Sequence, residues 1–183
     1  MKDGATGGFV QGYNCQAVVD SHAQIIVAAA LTQEANDKQQ LVPMLLAVEK
    51  NTGEKPAKAS MDAGYFSQAQ ITDTKLQGID LYVATERLRH GEKIEAVGDD
   101  APPSAQPTLI EQMREKLKSA QGHAVYKMRK AIVEPVFGQI KEARGFRRFS
   151  LRGEPKVGLE WQLICLTHNL LKLFRAKVCL QGA

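Results

Sequence analysis

Long apolar runs are missing from this sequence. No stretch reaches the roughly 18 residues that a membrane-crossing helix requires, which excludes a spanning segment of that kind. Cysteine is scarce. Cys15, Cys165 and Cys179 lie far apart with no CxxC pair, which argues against a disulfide framework or a zinc site and for a reducing, cytoplasmic setting. His22, His90, His123 and His168 fit no recognisable hydrolase motif. The first ten residues have one lysine and no apolar stretch, so they do not read as a secretory signal.

What is present suits one soluble domain with a real core: 183 residues, 44% hydrophobic and 24% charged. The charge is unevenly spread. Residues 1–108 have 9 Lys/Arg against 14 Asp/Glu, a net of −5, and residues 109–183 have 15 against 6, a net of +9. A basic half on a near-neutral chain fits a polyanionic partner on one side, and equally fits helices with solvated cationic faces.

Local patterns indicate an α/β domain: a mixed sheet flanked by helices. Residues 8–20 are rich in β-formers and end at a turn, Asp20-Ser-His, and residues 24–31 (QIIVAAAL) form a continuous apolar run. Together they read as an antiparallel hairpin. Asn36 or Asp37 then reads as a helix N-cap, with Leu41, Met44, Leu45 and Val48 at helical spacing, Pro43 in the first turn, and Asn51-Thr-Gly as the stop. A strand is expected at 58–63, a helix capped by Ser67 and running to about Gln77, and a strand at 79–84. Residues 90–108, with Gly-Asp-Asp and three prolines, read as a loop or insertion. Helices are expected at 109–119, 123–143 and about 154–176, the last packing on the domain through Val157, Trp161, Ile164, Leu170, Leu173 and Phe174. There are no internal repeats.

Two acids stand out. Asp62 leaves a predicted strand ahead of a glycine, and carboxylates at strand ends face the crevice where α/β sheets bind ligands; the plainer reading is a turn aspartate. Glu134 sits inside an apolar run, Ala131-Ile-Val-Glu-Pro-Val-Phe. Pro135 should kink or restart the helix there and re-aim Glu134; the plainer reading is a glutamate capping a helix that starts at Pro135. Around Glu134 stand Tyr126, Lys127, Arg129, Lys130, Lys141, Arg144, Arg147, Arg148 and Arg152. Glu134 and Lys141 are seven residues apart, so a regular helix would put them on one face. Lysines and arginines of this kind bind phosphates without reading sequence.

The blocks GYNCQAVVD, QIIVAAALTQEANDKQQLVPML, DAGYFS, IVEPVFGQIKEARGFRRF and WQLICLTHNLLKLF resemble the DDE transposases of bacterial insertion sequences. The resemblance covers nearly the whole chain. It implies an RNase H-like catalytic domain with an Asp-Asp-Glu triad and Mg²⁺ (or Mn²⁺), acting in DNA transposition on transposon ends and target, as a homodimer. By motif, Asp62 corresponds to the second acid and Glu134 to the third, as catalytic and metal-binding residues. Tyr126, Arg129, Glu134 and Lys141 correspond to the family's YREK signature on the DNA side. Four residues separate Arg129 from Glu134 where the commoner pattern has three, so Lys130 stands as an alternative to Arg129. The family's first strand and first acid have no counterpart here; Asp3, Asp20 and Asp37 are the substitutes available. The resemblance therefore implies a domain incomplete at its N-terminus and impaired when alone. The other reading is a non-catalytic DNA-binding remnant.

Overall fold

The computed structural model describes residues 8, 12–86 and 107–181, with side chains to 177. Asp3 and His90, the side chain of Cys179, and all but the last two residues of the expected 90–108 loop lie outside these. Strands β1 (Asn14–Val19) and β2 (Ile26–Thr32) are followed by α1 (Leu41–Thr52), β3 (Lys58–Met61), a 3₁₀ turn at Ala63–Tyr65 and the one-turn α2 (Gln68–Ile71). A second 3₁₀ turn (Thr74–Leu76), β4 (Asp80–Val83), α3 (Leu109–Lys118), α4 (Ala120–Gly138) and α5 (Glu154–Gln181) complete the order. Among the described residues no helix is long and apolar enough to cross a membrane.

The α/β class is as expected. In place of one mixed sheet, the described residues form two small ones. β1 pairs antiparallel with β2, from Asn14 opposite Thr32 to Val19 opposite Ile26, with a bulge at Val18/Val19. β3 pairs parallel with β4. Between them is a cavity of about 680 Å³ that touches every residue of 14–21 and every residue of 54–62. A sheet face would present alternate residues; a consecutive run means that the strands meet the cavity edge-on. Leu41, Met44, Leu45 and Val48 of α1 and Ile132, Val133 and Phe137 of α4 also line it. Their spacing of three and four presents one face of each helix.

Local chemistry explains the element ends. Gly53, at φ 83°, ends α1, and its N–H bonds to the Glu49 carbonyl at 2.8 Å. Thr108 and Glu111 form a reciprocal capping box at the start of α3. Gly122 lets α4 cross the end of α3, because a Cβ there would lie 1.8 Å from the Lys116 carbonyl oxygen. Ser67 stands before α2 but its side chain caps nothing. The helix expected to reach Gln77 is one turn and a 3₁₀ turn, with Asp73 accepting from the Lys75 N–H at the break. That side-chain bond competes with helix continuation.

The core has two main clusters. One joins α1, β4 and α3 through Leu41, Leu45, Leu81, Val83, Met113 and Leu117. The other joins β2, α4 and α5 through Ile26, Val136, Ile140, Trp161, Ile164 and Cys165. α5 packs through Val157, Trp161 and Ile164 as expected, but not through the other three residues expected there. Val157, Trp161, Ile164, Cys165 and His168 are buried, whereas Leu170, Leu173 and Phe174 are 54–65% exposed. The sequence carries two apolar stripes on this helix, and Leu159, Leu163, Leu166, Leu170 and Leu173 form the outer one.

Candidate functional site at the mouth of the inter-sheet cleft

Asp62 follows β3 and caps the 3₁₀ turn, its Oδ1 accepting from the Gly64 N–H at 2.9 Å. The plainer reading of this residue is thus realised. It also lines the cleft, with its Oδ2 3.9 Å from a terminal nitrogen of Arg129. Asp37 comes to the same place. Its Oδ1 accepts from Asn14 Nδ2 and Gln16 Nε2, both at 2.6 Å. A Cβ at Gly64 would lie 3.0 Å from both the Asp37 and the Asp62 carboxylates, so a bare glycine lets the two acids flank one point. Asp37 is therefore not the N-cap of α1. The helix starts later, at Leu41, with Gln40 in the cap position. The strand amides of Asn14 and Gln16 hold the aspartate instead.

Tyr65 joins this cluster by donating its hydroxyl to the Gln16 side-chain oxygen. Burial, followed by the negative charges of Asp37 and Asp62, pushes its pKa up. The phenol stays protonated and remains a donor. Gln16 is 2% exposed, so its amide must be satisfied inside the protein.

Arg129 reaches the cleft from α4. Its side chain is 19% exposed, its Nε is buried without a partner, and its guanidinium lies 5.4 Å from the Tyr126 ring centroid. At 3.9 Å from Asp62 it is close in charge but short of a formed hydrogen bond. Of the two alternatives, Arg129 faces the cleft; Lys130 is exposed.

Glu134 does not join them. It is exposed, makes no side-chain hydrogen bond or ion pair among the described residues, and is not among the residues lining the cleft. Its neighbour Val133 lines the cleft, and one helical step turns Glu134 about 100° away. α4 continues through Pro135 to Gly138, so neither the expected break nor a new helix start is present. A π-helical turn at Gln139–Ala143 follows. The regular-helix argument for pairing Glu134 with Lys141 therefore does not carry over. Among the described residues, no three His, Cys, Asp or Glu side chains gather in a way that could hold a metal ion.

The basic cluster divides. Arg144 turns inward, donating to the Ile164 carbonyl at 3.1 Å and to Thr167. Arg147 pairs with Glu142. Lys141 is exposed, 5.6 Å from the Phe137 ring centroid. Lys127, Lys130, Arg148 and Arg152 are exposed without side-chain partners among the described residues. Sequence reasoning missed the parts played by Gln16, Tyr65 and Asp37. The DAGY block held the one available signal, a glycine between an acid and a tyrosine.

Taken together, these features define an α/β domain with an acid–arginine pair at the mouth of a cleft and unpaired cations on its helical half. Residues 103–174 match the family model described as a transposase DDE domain, so over that segment the chain is similar to that family. The match includes Tyr126, Arg129, Glu134 and Lys141 and begins beyond Asp62. No curated protein and no solved structure matches the chain.

Proposed function

We propose that this chain works on DNA as part of a metal-dependent strand-cleaving and strand-transferring domain, with DNA held along α4 and the segment after it. Asp62 and Glu134 are its catalytic acids, and Tyr126, Arg129, Lys130 and Lys141 contact the DNA, as part of a homodimer in the cytoplasm. The observation that carries this reading is the family match across α4, the helix that places Arg129 opposite Asp62. Arg129 has donors to spare for a phosphate, and the exposed lysines need no other partner.

The residues as folded do not fit the Mg²⁺ or Mn²⁺ of such domains. Asp62 faces a guanidinium, Asp37 is engaged by two amides, and Glu134 is turned away. No catalytic step is derived from them. The cleft between β1 and β3 has the shape of a place for a further strand of an RNase H-like sheet. With the acids placed in this way, binding should outlast chemistry.

Anisotropy of a labelled DNA duplex tests the reading. Affinity should fall by about a hundredfold or more between 50 and 200 mM salt if several phosphates are contacted. Arg129→Gln and Lys130→Gln should each weaken binding. Salt-independent or absent binding at 50 mM would overturn it. Cleavage with Mg²⁺ or Mn²⁺ that survives both Asp62→Asn and Glu134→Gln would remove these acids from the reaction.

A further inference from the structure

Gln24 lies in the turn between β1 and β2 and is the only non-glycine residue among those described with a positive φ, 58°. A side chain in that left-handed conformation is unfavourable by roughly 1–2 kcal/mol, so the position needs a reason. Every polar group of Gln24 is engaged. Its backbone N–H donates to the Asp20 carbonyl at 3.1 Å, and its own carbonyl meets His168 Nε2 at 3.0 Å. Its side-chain Oε1 accepts from Lys172 Nζ at 2.7 Å. The side-chain Nε2 crosses to α4 and donates to the Ala131 carbonyl at 3.0 Å, with the Ile132 carbonyl at 3.4 Å.

Ala131 is the residue whose carbonyl should accept from the N–H four positions later. That position is Pro135, which has no N–H. The carbonyl freed by the proline is thus the one that Gln24 occupies. The match gives that carbonyl a partner within the protein where α4 passes through Pro135. It also fixes the helix against the hairpin turn at a point between Arg129 and Glu134.

We propose that Gln24 is a positioning residue: its side-chain amide replaces the hydrogen bond that Pro135 withholds, and so sets the rotation of α4 that aims Arg129 into the cleft and Glu134 out of it. The latch stands on this geometry alone; its importance for DNA rests on the function proposed above.

Four chains test it: the parent, Gln24→Gly, Pro135→Ala, and the double variant. Glycine keeps the backbone conformation and the carbonyl facing His168. Loss of the latch by itself should quicken amide exchange across residues 129–138 about fivefold, the equivalent of one ordinary hydrogen bond. Relief of the left-handed strain and loss of the Lys172 contact act alike in both backgrounds, so exchange should respond to Gln24→Gly about fivefold more in the parent than with Pro135→Ala, where alanine supplies the backbone N–H. DNA affinity should fall with Gln24→Gly and recover in the double variant. An equal response in both backgrounds, whether acceleration, slowing or none, overturns the latch. Coupled exchange with DNA affinity unmoved by Gln24→Gly overturns the positioning role. Coupled exchange with no chain binding DNA supports the latch and overturns the DNA reading instead.

Discussion

The two apolar faces of α5 differ in the polar groups they carry. The outer stripe is almost all leucine, at spacings of four and three, and stays in solvent. The inner stripe contains a tryptophan, a cysteine and a histidine, with an asparagine beside it, and it is the one that packs. Polar anchors distinguish them. Trp161 Nε1 donates to the Gln16 carbonyl at 3.0 Å. Asn169 both accepts from the Ile26 N–H and donates to the Ile26 carbonyl, each at 2.8 Å, as a neighbouring strand would. His168 meets the Gln24 carbonyl. Leucine can be buried against any apolar surface. These three groups can be buried only where a fixed backbone atom meets them.

The largest expected effect is at Trp161. Replacing it with alanine should cost about 4 kcal/mol, from the lost volume and a strand carbonyl left without its donor; urea denaturation measures this. A loss below about 0.5 kcal/mol, the size of an ordinary surface change, would mean that the inner face is not the anchored one.

An intermediate effect should appear with pH. Burial lowers the pKa of His168 from its ordinary 6.5. The folded chain therefore binds a proton less readily than the unfolded one. Stability should be complete above about pH 6.5 and should decline as the pH drops below it, by no more than about 1.4 kcal/mol per pH unit for this one group. Melts at pH 7.5 and 5.5, compared with those of His168→Gln, isolate the contribution. Stability rising toward pH 5.5 through His168 would reverse the assignment.

The smallest effect belongs to the outer stripe. Leu163→Gln and Leu170→Gln should each change stability by less than about 0.5 kcal/mol. A loss approaching that of Trp161→Ala would erase the difference between the faces.

The comparison also shows what could be read early. The hairpin, β3, β4, the end of α1 at Gly53 and the long helices follow from alternation, helical spacing and terminal chemistry, all of which act within a few residues. The break after Ile71 was missed because Asp73 captures a neighbouring N–H. Asp37 had the residue type and position of a helix cap, but Asn14 and Gln16, more than twenty residues away, claimed it. The proline signal at Glu134 was sound in isolation. The helix continues there, and Gln24 satisfies the freed carbonyl from the other end of the chain.

By itself the sequence determined the α/β class, the order of most elements, the placing of basic charge in the second half and two residues of the candidate site, Asp62 and Arg129. Tertiary structure alone decided which stripe of α5 is core, that the strands form two sheets with a cleft between them, and that Asp62 meets Arg129 and Asp37 while Glu134 points away. The physical reason is range. Periodicity and caps are set by neighbours in the chain, whereas the partner of a buried polar group is chosen among all surfaces that folding brings within hydrogen-bonding distance.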